Sequence, residues 1–112
     1  MKEWTIRDIA MWQEETFNPS VRSQKEKSNL EFIEYTKARG RSAKRKELID
    51  WFISKCWLAY FKRDPDAVMG ITLIQRLPEW KEIQKGINEK MAINLERNWI
   101  KTETGEWRHT ND

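Results

Sequence analysis

Two short segments place carboxylates three residues apart: Glu31 and Glu34 in LEFIEY (30–35), and Glu47 and Asp50 in KELIDW (46–51). On an α-helix, positions i and i+3 share a face, so each pair would stand together. Spacing alone is weak grounds, because 18 acids in 112 residues give about three such pairs by chance. Glu79/Glu82 and Glu103/Glu106 show it too. The setting is what separates the first two pairs. Leu48, Ile49, Trp51, Phe52, Ile53, Cys56 and Trp57 surround Glu47 and Asp50, and Leu30, Phe32, Ile33 and Tyr35 surround the other pair. A helix apolar on nearly every side is a central one. Its acids are then expected to be drawn out of water, and buried carboxylates need cations. Lys or Arg can fill that need. So can a hard divalent ion: Mg²⁺, or Mn²⁺ in its place, takes oxygen ligands and often bridges protein carboxylates to substrate phosphates. The residues between Glu34 and Glu47 are enough to end one helix, turn, and bring the second pair back beside the first.

A second constellation lies in KMAINLERNW (90–99), where Lys90, Asn94 and Arg97 recur at i, i+4 and i+7. On a continuous helix they line one face and offer two cations and an amide to phosphate oxygens. An ordinary solvated face has the same pattern.

Several elements must position these groups. Residues 3–15 carry Ile6, Ile9 and Ala10 at helical spacing. TFNPS (16–20) interrupts, with Asn18 suited to cap a second helix and Pro19 to its first position. That helix is predicted to run to about Arg39, with Gly40 as its stop. Ser42 would cap a third over 43–62. Asp64-Pro65 repeats the cap-plus-proline signal for a short helix over 65–75, and Leu77-Pro78 precedes a last one over 79–99. GITLI (70–74) is the one strand-like run, and without a partner it reads as helix. The tail KTETGEWRHTND reads as irregular, with Trp107 able to tie it down. The fold class is all-α: one domain over 1–112, an antiparallel bundle of four to five helices.

Composition agrees with an ordered domain. Seven Trp exceed what a disordered chain would hold, and they suggest a self-interface that completes the bundle as a dimer or tetramer. The net charge of +3 is clumped in KARGRSAKRK (37–46), which can attract anions. A single cysteine, Cys56, excludes an intrachain disulfide. The polar N-terminus does not read as a signal peptide, and no apolar run reaches membrane-span length. A cytoplasmic protein is expected.

Together the motifs resemble a family. Glu31-x-x-Glu34 followed by Glu47-x-x-Asp50 is similar to the ExxE…ExxD signature of the MazG-like all-α nucleoside triphosphate pyrophosphatases. WQEETF (12–17), the series Lys90, Asn94, Arg97 and Trp99, and the late His109 resemble the dATP/dGTP diphosphohydrolase branch. Leu30 stands where many such proteins have another Glu, and residues 64–86 form a longer connection than is usual. The resemblance implies a Mg²⁺-dependent homo-oligomer that cleaves (deoxy)nucleoside triphosphates, purine dNTPs among them, to the monophosphate and pyrophosphate. It implies metal ligands at Glu31, Glu34, Glu47 and Asp50, with Glu34 and Glu47 catalytic. Lys90, Asn94 and Arg97 would hold phosphate, and Trp12, Trp51 and His109 would touch the base or substrate. Two other functions remain open from the residues alone: a small basic regulator that binds nucleic acid through 37–46, and a non-catalytic nucleotide-binding relative.

Overall fold

The structure, a computed structural model, describes residues 2–22, 24, 45–101, 103 and 107–109, with the backbone alone at 101 and 107–109. Helix α1 spans Ile6–Phe17. It starts later than the apolar pattern suggests because Thr5 and Asp8 form a capping box. Thr5 Oγ1 accepts from the Asp8 N–H and Asp8 Oδ2 accepts from the Thr5 N–H, each at 3.1 Å. These bonds, the backbone one foremost, hold the Asp8 carboxyl below its usual range. The helix ends at Asn18, which is left-handed (φ 46°) and donates its N–H to the Glu14 carbonyl. Asn18 is therefore the C-terminal cap of α1 rather than the start of the next helix. Residues 21, 22 and 24 are helical, and the Gln24 N–H bonds the Ser20 carbonyl at 3.1 Å. The predicted continuation to Arg39, with Gly40 and Ser42, lies outside the described residues.

Helix α2 spans Arg45–Trp57 and runs on as a π-helical turn, Leu58–Lys62. Arg63 closes it in a left-handed conformation, φ 49°. Helix α3, Pro65–Gln75, begins where the sequence predicts: Pro65 takes the first turn and Asp64 Oδ2 accepts from the Ala67 N–H at 3.3 Å. GITLI is helical within it. Helix α4 spans Trp80–Glu96 and stops short of the predicted end, since Arg97 is already extended (φ −77°, ψ 143°). The tail is not wholly irregular. Strands β1, Trp99–Lys101, and β2, Trp107–His109, pair antiparallel with Trp99 opposite His109.

The architecture is all-α apart from that ribbon, and α2 is its hub, packing against α1, α3 and α4. Gln13, late in α1, bonds the Ile53 carbonyl at 2.8 Å. Ile6 and Arg7, early in α1, share a groove with Tyr60 and Arg63. So α1 and α2 run antiparallel, as expected. Leu48, Ile49, Phe52, Ile53 and Cys56 of α2 meet Ile9 and Ala10 of α1, Ile71 and Ile74 of α3, and Ile83, Ile87 and Met91 of α4 in one core. Each large side chain buried there contributes about 1.5–3 kcal/mol. Contact is closest at Gly70, where a Cβ would sit 1.8 Å from Trp51 Cη2. Burial in this core pushes the Cys56 thiol up from its ordinary pKa. Among the described residues no helix is long and apolar enough to cross a membrane.

Candidate functional site

The site is built on α2. Eight residues of this helix are buried: Leu48, Ile49, Trp51, Phe52, Ile53, Lys55, Cys56 and Trp57. Five residues remain: Arg45 and Lys46, exposed at its start, and a narrow strip of Glu47 and Asp50, exposed, and Ser54, half-exposed, at i, i+3 and i+7. The sequence correctly predicts a central helix with these acids side by side. It wrongly predicts that they leave water. The large rings expected to roof the strip are engaged elsewhere. Trp51, 3% exposed, lies against Gly70 of α3. Trp57 donates its indole N–H to Glu14 Oε2 of α1 at 2.6 Å. With both rings turned into the bundle, the carboxylates face solvent. Ser54 donates its hydroxyl back to the Trp51 carbonyl at 2.7 Å, leaving the oxygen's lone pairs outward. Glu31 and Glu34 lie outside the described residues.

Two adjacent solvent-facing carboxylates on a rigid helix fit Mg²⁺, which commonly binds one or two protein carboxylates and completes its shell with water and substrate phosphate. Among the described residues no group of three or more His, Cys, Asp or Glu converges to hold an ion. Glu47 and Asp50 alone could supply only part of such a ligand set.

Beside this strip lies a residue the sequence pattern hid. Lys55 is 2% exposed, and its ammonium stands 5.2 Å from the centroid of the Trp51 ring. A lysine one turn beyond a tryptophan ordinarily reads as solvated with its stem laid on the ring. Its burial shows only in the structure, where the Trp51 ring beside it packs against Gly70 of α3. The packed positions Leu48 and Trp51, at i−7 and i−4, are the pattern that places Lys55 on a covered face.

The second constellation is only partly brought together. Lys90 is half-exposed on α4. Asn94 is 6% exposed: its side-chain amide donates to Met91 Sδ (3.7 Å), and its backbone carbonyl accepts the Trp99 indole N–H at 3.1 Å. Arg97, half-exposed, lies past the end of α4 in extended backbone. A single Lys–Asn–Arg stripe thus does not form on the helix surface. The repeat assumes an unbroken helix, and α4 ends before its third member.

The ring candidates also separate. Trp12 is half-buried in a cluster of edge-to-face rings, 5.2 Å from Phe17 and 6.1 Å from Trp99, which ties α1 to the ribbon. Trp51 is a core residue, as above. His109 closes β2 opposite Trp99. The basic run 37–46 reaches the described residues at Arg45, which pairs with Glu82 of α4 at 2.6 Å, and at exposed Lys46. No family model, no curated protein and no solved structure matches this chain.

Proposed function

We propose that this chain is a Mg²⁺-dependent nucleoside triphosphate pyrophosphohydrolase, acting on purine dNTPs such as dATP and dGTP and releasing the monophosphate and pyrophosphate. The observation that carries this reading is the α2 strip. Beyond its first two residues, the most deeply packed helix of the described fold turns one strip to solvent, with two carboxylates a turn apart. A helix fixed by packing on its other sides holds such groups in place without reorganisation, as electrostatic catalysis requires. Glu47 and Asp50 would hold the ion, joined by Glu31 and Glu34 as the ExxE…ExxD resemblance implies. Bound there, Mg²⁺ would neutralise phosphate charge and make a water more acidic. Glu47, with Glu34, would orient the attacking water and accept its proton. Lys90 and Arg97 would bring positive charge toward the triphosphate, while the Asn94 backbone carbonyl holds the Trp99 indole.

A homo-oligomer belongs to this proposal. Met69 on α3 and Ile93 and Leu95 on α4 are about half exposed and would offer apolar surface to such an interface. Sedimentation velocity should give a dimer or tetramer.

Hydrolysis tests the function directly. Purified protein is incubated with each dNTP and NTP and Mg²⁺, and products are separated by anion exchange. Monophosphate and pyrophosphate should appear from purine dNTPs, and EDTA should abolish them. Binding of nucleotide without turnover would identify a non-catalytic relative. Silence toward nucleotides, with salt-sensitive DNA binding, would identify a nucleic-acid-binding protein instead.

A further inference from the structure

The N-terminal segment, the π turn and α3 enclose a groove of about 670 Å³, within the range of small-molecule sites. We propose that it binds a flat heteroaromatic ring carrying a phosphate or carboxylate. Its floor is apolar, with buried Phe52 and Ile71. Half-buried Trp80 and exposed Tyr60 line it as aromatic walls, surfaces on which a flat ring stacks. Arg7 and Arg63 are the cations in its lining, against Glu3 as the one carboxylate. Neither guanidinium joins a hydrogen bond or ion pair among the described residues. Two free guanidinium forks beside stacking surfaces match a ring with one attached anion. The net balance of one positive charge disfavours a longer polyanion.

The backbone adds a separate observation. Ala59, Tyr60 and Arg63 reach the groove from the π turn, and Arg63 is held at φ 49°. π turns inserted in α-helices occur often at functional sites, and a left-handed arginine is uncommon enough to need a reason. The π turn packs against both α1 and α3, so its residues stand between the two sides of the groove.

The groove is not the acid strip. Phe52 follows Asp50 by two positions, about 200° around the helix, so the groove opens on the opposite side of α2. A ligand bound there would sit apart from the strip, and the inference stands whether or not the strip hydrolyses nucleotides.

Calorimetric titration of the full chain tests this. AMP and orotate are the ring–anion probes, one phosphate and one carboxylate, and adenosine and inorganic phosphate are the separate halves. At least one ring–anion probe should bind with Kd below about 1 mM, a weak-site threshold near 4 kcal/mol. Each half should bind at least about tenfold more weakly. Arg63→Ala and Arg7→Ala should each weaken binding about tenfold, and Val68→Trp, which fills the groove from α3, should abolish it. Glu47→Gln should leave it unchanged. Circular dichroism of every variant guards against misfolding. Several results would overturn the proposal: no heat with any probe, adenosine binding as well as AMP, or binding that survives both Arg63→Ala and Val68→Trp. Loss of binding in Glu47→Gln would also overturn it by placing the ligand on the acid strip. So would a Val68→Trp protein whose oligomeric state changes while the probes stay silent, since a second copy would then be the occupant.

Discussion

The two sides of α2 follow different rules. On the packed side, Trp51 and Ile49 approach α3 and α4 so closely that glycines face them, Gly70 against the Trp51 ring and Gly86 against the Ile49 side chain. On the open side, Glu47, Asp50 and Ser54 meet solvent. Stability is concentrated on one side and exposed charge on the other. Substitutions on the packed side should cost stability wherever the facing side chain cannot yield, and those on the strip should leave the protein folded and remove the proposed activity.

The largest effect is expected at Gly70. Alanine normally stabilises a helix relative to glycine by about 1 kcal/mol. Here its Cβ would lie 1.8 Å from Trp51 Cη2 and 2.6 Å from Cζ2, within a rigid ring that cannot yield. Gly70→Ala should lose about 3 kcal/mol in urea denaturation, the upper range of overpacking. A neutral result would mean the packed side is looser than drawn.

Next comes the buried thiol. The folded pKa of Cys56 is raised by burial above its ordinary 9.0. The folded state therefore excludes the thiolate. Its contribution is complete below the unfolded pKa and is lost as pH rises beyond it, by about 1.4 kcal/mol per pH unit. Wild type should lose stability between about pH 9 and pH 10, and Cys56→Ala, though less stable throughout, should show less of that loss. Equal slopes would place the thiol in contact with water.

The capping box of α1 gives a smaller effect. Thr5→Ala should cost about 1 kcal/mol at neutral pH. The Asp8 carboxyl is lowered from 3.8 mainly by its bonds to Thr5, so its contribution is present above that value and fades as pH falls through the folded pKa. Thr5→Ala keeps the N–H that makes the larger of those bonds, so wild type and variant should lose stability in acid nearly in parallel. Smallest of all is Gly86→Ala. Its Cβ would meet Ile49 Cδ1 at 2.3 Å, but a terminal methyl can rotate away. Helix propensity then offsets the repacking, and stability should stay within about 1 kcal/mol of wild type.

These contrasts mark what the residues reveal on their own. Asp64-Pro65 places α3 to the residue, because a cap and a fixed φ act locally. The hub role of α2 is equally legible in its apolar circumference. Thr5 and Asp8 carry a capping signal that the apolar period over 3–15 overrides, so the true start of α1 is missed. Asn18 suits either end of a helix, and only the Glu14 carbonyl decides which. The exposure of Glu47 and Asp50 depends on where the rings of Trp51 and Trp57 turn, toward Gly70 and Glu14, and those partners are distant in sequence. Lys90, Asn94 and Arg97 share a face only if the helix persists, and nothing before Arg97 announces that α4 ends at Glu96. The groove was invisible for the same reason: its lining comes from segments far apart, and a π turn has no composition of its own.

The central claim is that the acid strip serves chemistry and not the fold. Replacing both acids by their amides, Glu47→Gln with Asp50→Asn, and measuring melting temperature beside Mg²⁺-dependent dNTP hydrolysis tests it most directly. The melting temperature should move by no more than about 5 °C, the scale of one exposed ion pair, while turnover falls at least about a hundredfold. A protein that unfolds with the amides in place, or one that hydrolyses dNTPs as fast as before, would contradict it.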